Sequence, residues 1–123
     1  MFEDQPSVVI VDDDEGSRCA LASFVSSYNL RVLQACNGEE ALFVLQKDPS
    51  PRLILLDLEM PIMDGYEFLL RKQEDVEIAH VPVAVITATG KSASKNLPVI
   101  KKPCDPQKIA LLLRYYCGLE RPS

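Results

Sequence analysis

The sequence predicts an α/β fold in which a parallel sheet is covered by helices on both faces. Two apolar runs, 7–11 and 53–56, lead directly into carboxylates, which is typical of strands buried on both faces. Strand-like and helix-like patterns then alternate along the chain, as parallel strands joined by helical crossovers require. The 123 residues, of which 47% are hydrophobic and 25% charged, are enough for one domain with its own core.

The first part of the chain has the pattern of two strand–helix units. Ser7 to Val11 forms the first strand, and apolar residues at helical spacing place the first helix at about Glu15 to Ser27. Leu30 to Ala35 alternates enough for a short second strand. Asn37 and Glu40 have the spacing of a capping box, so the second helix begins just after Asn37.

The middle of the chain repeats this order. Leu53 to Asp57 forms the third strand. A helical stripe begins at Tyr66 and ends in the charged residues near Asp75, which gives the third helix. Pro82 to Thr87 forms the fourth strand, with the proline at its start, where a missing N–H donor is tolerated.

The stretch between the fourth and fifth strands breaks the alternation. Within 89–98, only Ala93 and Leu97 share a helical face, so a loop or a single turn fits better than an amphipathic helix. We therefore expect the fourth helix to be short or missing. Val99 to Lys101 then forms a short fifth strand, and the last helix occupies about 105–118, between an aspartate cap and a glycine.

Acidic side chains follow the first and third strands. Asp12 and Asp13 come directly after the first strand, and Asp57 ends the third. Because parallel strands share one carboxyl edge, where ligands bind in such sheets, we expect the three carboxylates to gather there. Their mutual repulsion favours either a proton on one of them or a cation among them. Ligands that are all oxygen suit Mg²⁺.

A hydroxyl and an ammonium reach the same edge of the predicted sheet. Thr87 ends the fourth strand, and Lys101 or Lys102 stands near the end of the fifth. A carboxylate nucleophile, a metal ion, a hydroxyl and an ammonium together suit a phosphoryl group on Asp57. Each feature alone has an ordinary explanation, as a helix cap, a strand residue or a solvated charge, and only their joint occurrence at the strand ends favours this site.

Composition argues against several other functions. The formal net charge of −5 disfavours nucleic acid or an anionic membrane as a direct partner. The longest apolar runs have the length of strands, so no membrane span is expected. No secretory signal is recognisable at the N-terminus, and the four cysteines form no Cys-x-x-Cys pair, so a reducing, cytoplasmic location is the expectation.

Four motifs together carry a resemblance to a known family. The run from Asp57 to Gly65, with Val11 to Asp14 before it and Thr87-Ala88 and Lys102-Pro103 behind it, resembles the receiver domain of bacterial two-component response regulators. The resemblance covers about residues 5–119. It implies a flavodoxin-like, doubly wound (βα)5 parallel sheet with the strand order 2-1-3-4-5.

The resemblance also implies roles for the acidic residues. Asp57 would accept a phosphoryl group from a phosphohistidine on a sensor histidine kinase or a histidine phosphotransfer protein. Asp12 and Asp13 would hold Mg²⁺ as an acid pair, together with Asp57 and the backbone carbonyl of Glu59.

Two further residues would act on the phosphoryl group itself. Thr87 resembles the switch hydroxyl that moves onto a phosphoryl oxygen, and Lys102 resembles the lysine that pairs with the group. Lys101 is the rival for this role, because a slip of one residue turns a strand side chain to the other face. Lys102 is preferred because it directly precedes Pro103, and the corresponding peptide bond is usually cis in the family.

The chain departs from the family pattern at three places. Val99 stands where the family often has an aromatic residue, so a ring that swings with Thr87 is not expected. The interval from Thr87 to Lys102 is shorter than usual, and the missing length falls in the fourth helix, which is part of the common output and dimer surface. Glu59 lies near the approach of a hydrolytic water, where an acid either alters the lifetime of the phosphoryl group or is only a solvated surface charge.

The leading hypothesis is a single receiver domain over residues 1–123 that catalyses its own phosphorylation and dephosphorylation at Asp57 and signals through a changed surface. It is not predicted to be an enzyme for a separate substrate. One alternative is an interaction module that works without phosphorylation. Another is an aspartyl-phosphate phosphatase, which typically has a second aspartate where Glu59 stands.

The output partner and the formation of a homodimer stay open, because the surface most used for dimers is the most altered.

Overall fold

The computed structural model describes residues 5–90 and 96–119, which form five strands and four helices. In chain order these are β1 (Ser7–Val11), α1 (Glu15–Ser26), β2 (Arg31–Ala35), α2 (Gly38–Lys47), β3 (Leu53–Asp57), α3 (Gly65–Glu74), β4 (Val83–Thr87), β5 (Val99–Lys101) and α4 (Pro106–Cys117). None of these helices combines the length and the hydrophobicity that a bilayer crossing needs.

All five strands run parallel and lie in the order β2-β1-β3-β4-β5. This confirms the α/β fold and the strand order that the sequence and the resemblance predict. The register pairs Val11 with Leu56 and Asp57 with Ile86. The carboxyl ends of β1, β3 and β4 therefore finish at nearly the same level, and the residues that follow them meet at one edge.

The core lies on both faces of this sheet. Strands β1, β3 and β4 are buried along their whole length, and successive side chains point to opposite faces. Val9 and Val11 pack with the helices α2 and α3, whereas Val8 and Ile10 pack with α1 and α4. Burial on both faces explains why these strands are continuous apolar runs rather than alternating ones.

Aspartate and asparagine caps begin the four helices. Asn37 accepts the backbone N–H of Glu40 at 2.8 Å, which confirms it as the cap of α2. The Glu40 carboxylate reaches back as predicted, although it accepts the N–H of Cys36 rather than that of Asn37 itself. Asp64 caps α3 one turn before Glu67. The other two caps are Asp14 and Asp105.

Several element boundaries differ from the sequence prediction by one residue. Helix α1 ends at Ser26, β2 begins at Arg31, α3 begins at Gly65 and β4 begins at Val83. The apolar pattern marks where a buried face begins, whereas the element itself begins where its hydrogen bonds do, and the two positions need not coincide.

The connection between β4 and β5 contains no long helix in its described part. Residues 88–90 and 96–98 form bends, a turn and irregular backbone, and residues 91–95, which include Ala93, lie outside the described residues. A regular helix of three turns needs about 11 residues. The prediction that no such helix spans 89–98 is therefore confirmed as far as the described part of the connection goes. Leu97 packs against the core cluster on the face of α2 and α3.

Candidate functional site

Three carboxylates meet at the carboxyl edge of the sheet. Asp12 follows β1 and Asp57 ends β3, and the pairing of Val11 with Leu56 makes the two aspartates neighbours. One carboxylate oxygen from each of Asp12, Asp13 and Asp57 lies within 4.8 Å of the others. Asp12 and Asp57 are 4% and 3% exposed, whereas Asp13 is exposed. This oxygen-only donor set, open to solvent on one side, fits a partly hydrated Mg²⁺ ion.

The Lys102 ammonium lies between the two buried carboxylates. Its Nζ is 3.3 Å from Asp12 Oδ2 and 3.3 Å from Asp57 Oδ2. The backbone N–H of Lys102 donates to the carbonyl of Thr87 at 2.9 Å, which fixes the backbone of Lys102 at the edge, and the peptide bond to Pro103 is cis. Lys101 pairs with Thr87 in the register but its side chain is exposed. The structure thus brings Lys102 to the acidic cluster.

Burial and neighbouring charges shift the pKa values of Asp57 and Lys102. Burial raises the pKa of Asp57 above its ordinary value, and the N–H of Glu59 and the Lys102 ammonium only partly oppose the shift. Burial also lowers the pKa of Lys102, but the carboxylates of Asp12 and Asp57 outweigh that effect and raise it overall. The two acids therefore favour the protonated form of Lys102, while burial makes the ionised form of Asp57 costly, a cost that a divalent cation would offset.

Thr87 is buried beside the cluster with its hydroxyl hydrogen-bonded. Its side chain stands at the end of β4 and is 1% exposed. The Thr87 hydroxyl lies 3.3 Å from Glu59 Oε1 and 3.2 Å from the hydroxyl of Thr89. Sequence reasoning placed Thr87 and Glu59 at this edge but missed the contact between their side chains. Both readings of Glu59, as a modulator of lifetime and as a surface charge, stay predictions. Val99 is half-buried in β5.

Two glycines allow close approaches at the loop between β3 and α3, one to the end of β3 and one to the start of α2. A Cβ atom at Gly65 would lie 2.7 Å from the Asp57 carbonyl oxygen and 2.7 Å from Leu58 Cα. A Cβ atom at Gly38 would lie 2.8 Å from the backbone oxygen of Met63, whose carbonyl accepts the Gly38 N–H at 2.8 Å. The sequence motif that ends at Gly65 assigns this glycine no role, and the close approach to the end of β3 supplies one.

Backbone and side-chain donors hold the acidic turn after β1. Asp12 Oδ1 accepts the N–H of Asp14 at 2.9 Å, and Arg18 Nη1 donates to the carbonyl of Asp12 at 2.8 Å. Arg18 Nε also donates to Gln34 Oε1 at 3.0 Å, which ties α1 to β2. Sequence reasoning missed Arg18, because no spacing rule links one surface arginine to a turn six residues earlier.

Comparisons with known protein families and curated proteins give one consistent result. A family model for the response regulator receiver domain matches residues 8–114. Among curated proteins, the response regulator Rre1 of Synechocystis is 32% identical over 125 residues, covering 95% of this chain and 54% of that protein. The chain thus spans about half the length of this relative.

Solved structures share the fold over nearly the whole chain. A putative response regulator from Chloroflexus aurantiacus has a TM-score of 0.82 and is 25% identical, covering 93% of this chain and 98% of that one. The receiver domain of a sensor histidine kinase from Pseudomonas aeruginosa, with a magnesium ion coordinated in its active-site cleft, also has a TM-score of 0.82 over the same shares. It is 18% identical, so that likeness is one of fold alone.

Proposed function

This chain belongs to the response regulator receiver domain family, and from that membership we propose that Asp57 is its phosphoacceptor, acting with Mg²⁺, Lys102 and Thr87. Receiver domains are the modules of two-component signal transduction that interact with histidine kinases or histidine phosphotransfer proteins. The proposal assigns the phosphodonor of this chain to one of these two classes. The acceptor is the chain itself, so no separate substrate is invoked.

One arrangement carries the proposal. The Asp57 carboxylate is buried at the end of β3, shares an oxygen-only cluster with Asp12 and Asp13, and has an ammonium 3.3 Å from Oδ2. A buried carboxylate of this kind would be a poor choice for a purely structural role, because its ionised form costs free energy there. An acid–acid–acid–lysine cluster at the ligand-binding edge of a parallel sheet instead suits phosphoryl transfer.

In the proposed reaction, a carboxylate oxygen of Asp57 attacks the phosphorus of a phosphohistidine. An O–P bond forms, the N–P bond breaks, and the imidazole nitrogen leaves with the bonding pair and takes up a proton. The Lys102 ammonium stabilises negative charge on the transferred group, and the Thr87 hydroxyl donates to one of its oxygens. Lys102 and Thr87 contact the phosphoryl group in the same way when water hydrolyses the acyl phosphate.

The metal site would consist of Asp12, Asp13, Asp57 and the backbone carbonyl of Glu59. Bound Mg²⁺ would neutralise charge on the carboxylates and on the phosphoryl oxygens. The exposed position of Asp13 leaves a path for a hydrated ion. The Pseudomonas aeruginosa receiver domain, which shares this fold, holds a magnesium ion in its active-site cleft and is a precedent for Mg²⁺ in a domain of this fold.

We also propose that residues 1–123 form one receiver domain with a core of about 5–119, and that it works in the cytoplasm. The family match over 8–114 supports the extent of the domain. All four cysteines are free thiols, which accords with a reducing compartment. A direct nucleic-acid partner is not proposed, because the net charge is −5.

Phosphorylation by a small donor tests the function without knowledge of the kinase. Purified protein is incubated with acetyl phosphate and Mg²⁺, and intact mass is recorded. We expect the mass to rise by one phosphoryl group, the gain to be lost in Asp57→Asn, and the gain to disappear when a chelator replaces Mg²⁺. A protein that stays unmodified while folded would favour the module that works without phosphorylation. A gain retained by Asp57→Asn would place the acceptor elsewhere.

A further inference from the structure

The Thr87 hydroxyl has one proton to donate and three hydrogen-bonding neighbours. Thr87 Oγ1 accepts the backbone N–H of Thr89 at 3.3 Å and lies 3.2 Å from the Thr89 hydroxyl, which can itself act as donor. The third neighbour is Glu59 Oε1 at 3.3 Å. A carboxylate oxygen accepts hydrogen bonds, and in this contact the Thr87 hydroxyl is the donor. We assign the single Thr87 proton to Glu59, because the Thr89 hydroxyl can donate to Thr87 whereas the carboxylate can only accept.

That proton is the one that a phosphoryl group on Asp57 would need. We propose that Glu59 is a positioning residue, whose carboxylate holds the Thr87 hydroxyl in the unphosphorylated protein and competes with the phosphoryl group for its proton. This inference rests on the proposed function, because it assumes that Thr87 donates to a phosphoryl oxygen once Asp57 is modified. The contact between Thr87 and Glu59 must then break when Thr87 donates to the phosphoryl group.

The strength of this contact sets the size of the expected effect. A separation of 3.3 Å is long for a bond between two oxygens, which is usually 2.5–3.0 Å. Glu59 is also exposed, so water competes for both groups. The hold on Thr87 is therefore weak enough to be exchanged, and its removal should favour the phosphoryl-bound form by about two- to fivefold rather than by orders of magnitude.

The position of Glu59 gives the exchange a structural consequence. Glu59 lies in the loop between β3 and α3, and its own N–H donates to Asp57 Oδ1 at 3.2 Å. When Thr87 turns to the phosphoryl group, the Glu59 carboxylate loses its donor beside a newly placed negative charge. Thr87 is thus coupled to the loop after β3, whereas Val99 offers no ring in β5 to follow it.

A double-mutant cycle separates this coupling from simple charge repulsion. Beryllofluoride, which mimics a phosphoryl group on a carboxylate, is titrated at saturating Mg²⁺ and followed by fluorine NMR. The four proteins are the wild type, Glu59→Ala, Thr87→Val and the double variant, with Thr87→Ala as the substitute if the valine variant is unfolded. Glu59→Gln tests rescue, because its amide oxygen still accepts the hydroxyl. Glu74→Ala at the far end of α3 is the control for loss of one exposed carboxylate.

We expect Glu59→Ala to tighten beryllofluoride binding about two- to fivefold when Thr87 is present, and clearly less when Thr87 is Val. Glu59→Gln should lie between wild type and alanine, and Glu74→Ala should match wild type. Equal effects of Glu59→Ala in both backgrounds would mean that charge alone acts, and would overturn the inference. A weaker or unchanged affinity in Glu59→Ala would also overturn it. A folded wild type that binds no beryllofluoride would instead overturn the proposed function itself.

Discussion

At the scale of single residues, Asp57 shows the cost of a buried charge. Burial raises its pKa, so between the ordinary value of 3.8 and the raised value the folded protein binds more protons than the unfolded chain. The free energy of unfolding without metal should then fall as the pH rises through that window. Asp57→Asn should remove this slope and raise the free energy of unfolding at neutral pH by about 1–2 kcal/mol, since Lys102 keeps Asp12 as a partner.

Denaturant unfolding in a chelating buffer at several pH values measures this effect. Asp13→Asn is the matched control, because Asp13 belongs to the same cluster but is exposed. Stabilisation by Asp13→Asn as large as that by Asp57→Asn would identify repulsion among the acids, rather than burial, as the cause.

The two adjacent lysines give a second prediction at this scale. Lys102 contacts Asp12 and Asp57, whereas Lys101 is exposed. Lys102→Ala should slow phosphorylation by acetyl phosphate about tenfold, the lower end of the range for a charged contact because the lysine is partly exposed. Lys101→Ala should leave the rate nearly unchanged. Greater damage in Lys101→Ala would assign the site lysine to position 101.

Ile62 is a strained residue on the loop between β3 and α3. Its φ is 69°, in the left-handed region that a β-branched side chain avoids, and it is 77% exposed. Ile62→Gly should therefore raise the free energy of unfolding by about 0.5–1 kcal/mol, because the relief of strain exceeds the entropy that glycine loses. Val76→Gly, at another exposed β-branched residue without a positive φ, should lower it. The same sign for both variants would contradict the assignment of strain.

The sequence predicts which residues lie together when the backbone fold alone fixes their positions. It predicts less well the contacts that depend on side-chain rotamers. Asp12, Asp13 and Asp57 follow strand ends, so a parallel register brings them together whatever their side chains do. The contact between Glu59 and Thr87 depends on the side-chain torsions of a loop residue, for which no periodicity exists. The choice of Lys102 over Lys101 rested on the neighbouring proline, which is a local signal rather than a pattern.

At the scale of elements, the first turn of α3 packs so closely against the end of β3 that position 65 has no room for a side chain. Gly65→Ala would place a methyl group 2.7 Å from the Asp57 carbonyl oxygen, and backbone atoms on both sides must shift to admit it. We expect a loss of about 1–3 kcal/mol in the free energy of unfolding and weaker Mg²⁺ binding, because the shift moves Asp57.

Gly16→Ala supplies the control for this prediction. Gly16 also lies in the first turn of a helix, but the nearest atom to its added Cβ is 3.7 Å away. Alanine there should leave stability unchanged or raise it by up to about 1 kcal/mol. Denaturant midpoints of the two variants give the comparison, and similar values would show that helix propensity, not close approach, governs both positions.

A strand is predictable from the sequence when its burial leaves a clear apolar pattern. β1, β3 and β4 are buried on both faces and appear as unbroken apolar runs. β2 is only partly buried, and its start was placed one residue early, at Leu30. The short connection between β4 and β5 was predictable as a departure, because too few apolar positions remain there to cover a sheet face.

At the scale of the whole molecule, the fold follows from one repeated requirement. Each apolar strand must be covered on both faces, and right-handed crossovers then put α1 and α4 on one face and α2 and α3 on the other. The same requirement sends every strand end to one edge, so the fold and the site are predicted together. Partner surfaces follow from no such requirement, which is why the sequence leaves them open.

Mg²⁺ should stabilise the whole fold, because it binds ligands that only the folded chain brings together. At about 100 times its dissociation constant, the ion should raise the free energy of unfolding by about 2.7 kcal/mol. The carboxylates must be ionised to bind it, and the pKa of Asp57 is raised. The stabilisation should therefore be complete above the folded-state pKa of Asp57 and should fall as the pH drops through that value.

Unfolding in Mg²⁺ and in chelator, for wild type and variants, measures this linkage. Asp13→Asn should lose most of the gain without loss of stability in chelator, because Asp13 is an exposed member of the cluster. Glu74→Gln, which removes an exposed carboxylate at the end of α3, should keep the full gain. If Mg²⁺ stabilised all three proteins equally, the ion would be acting on surface charge in general. Asp12, Asp13 and Asp57 would then be close together for a reason other than metal binding.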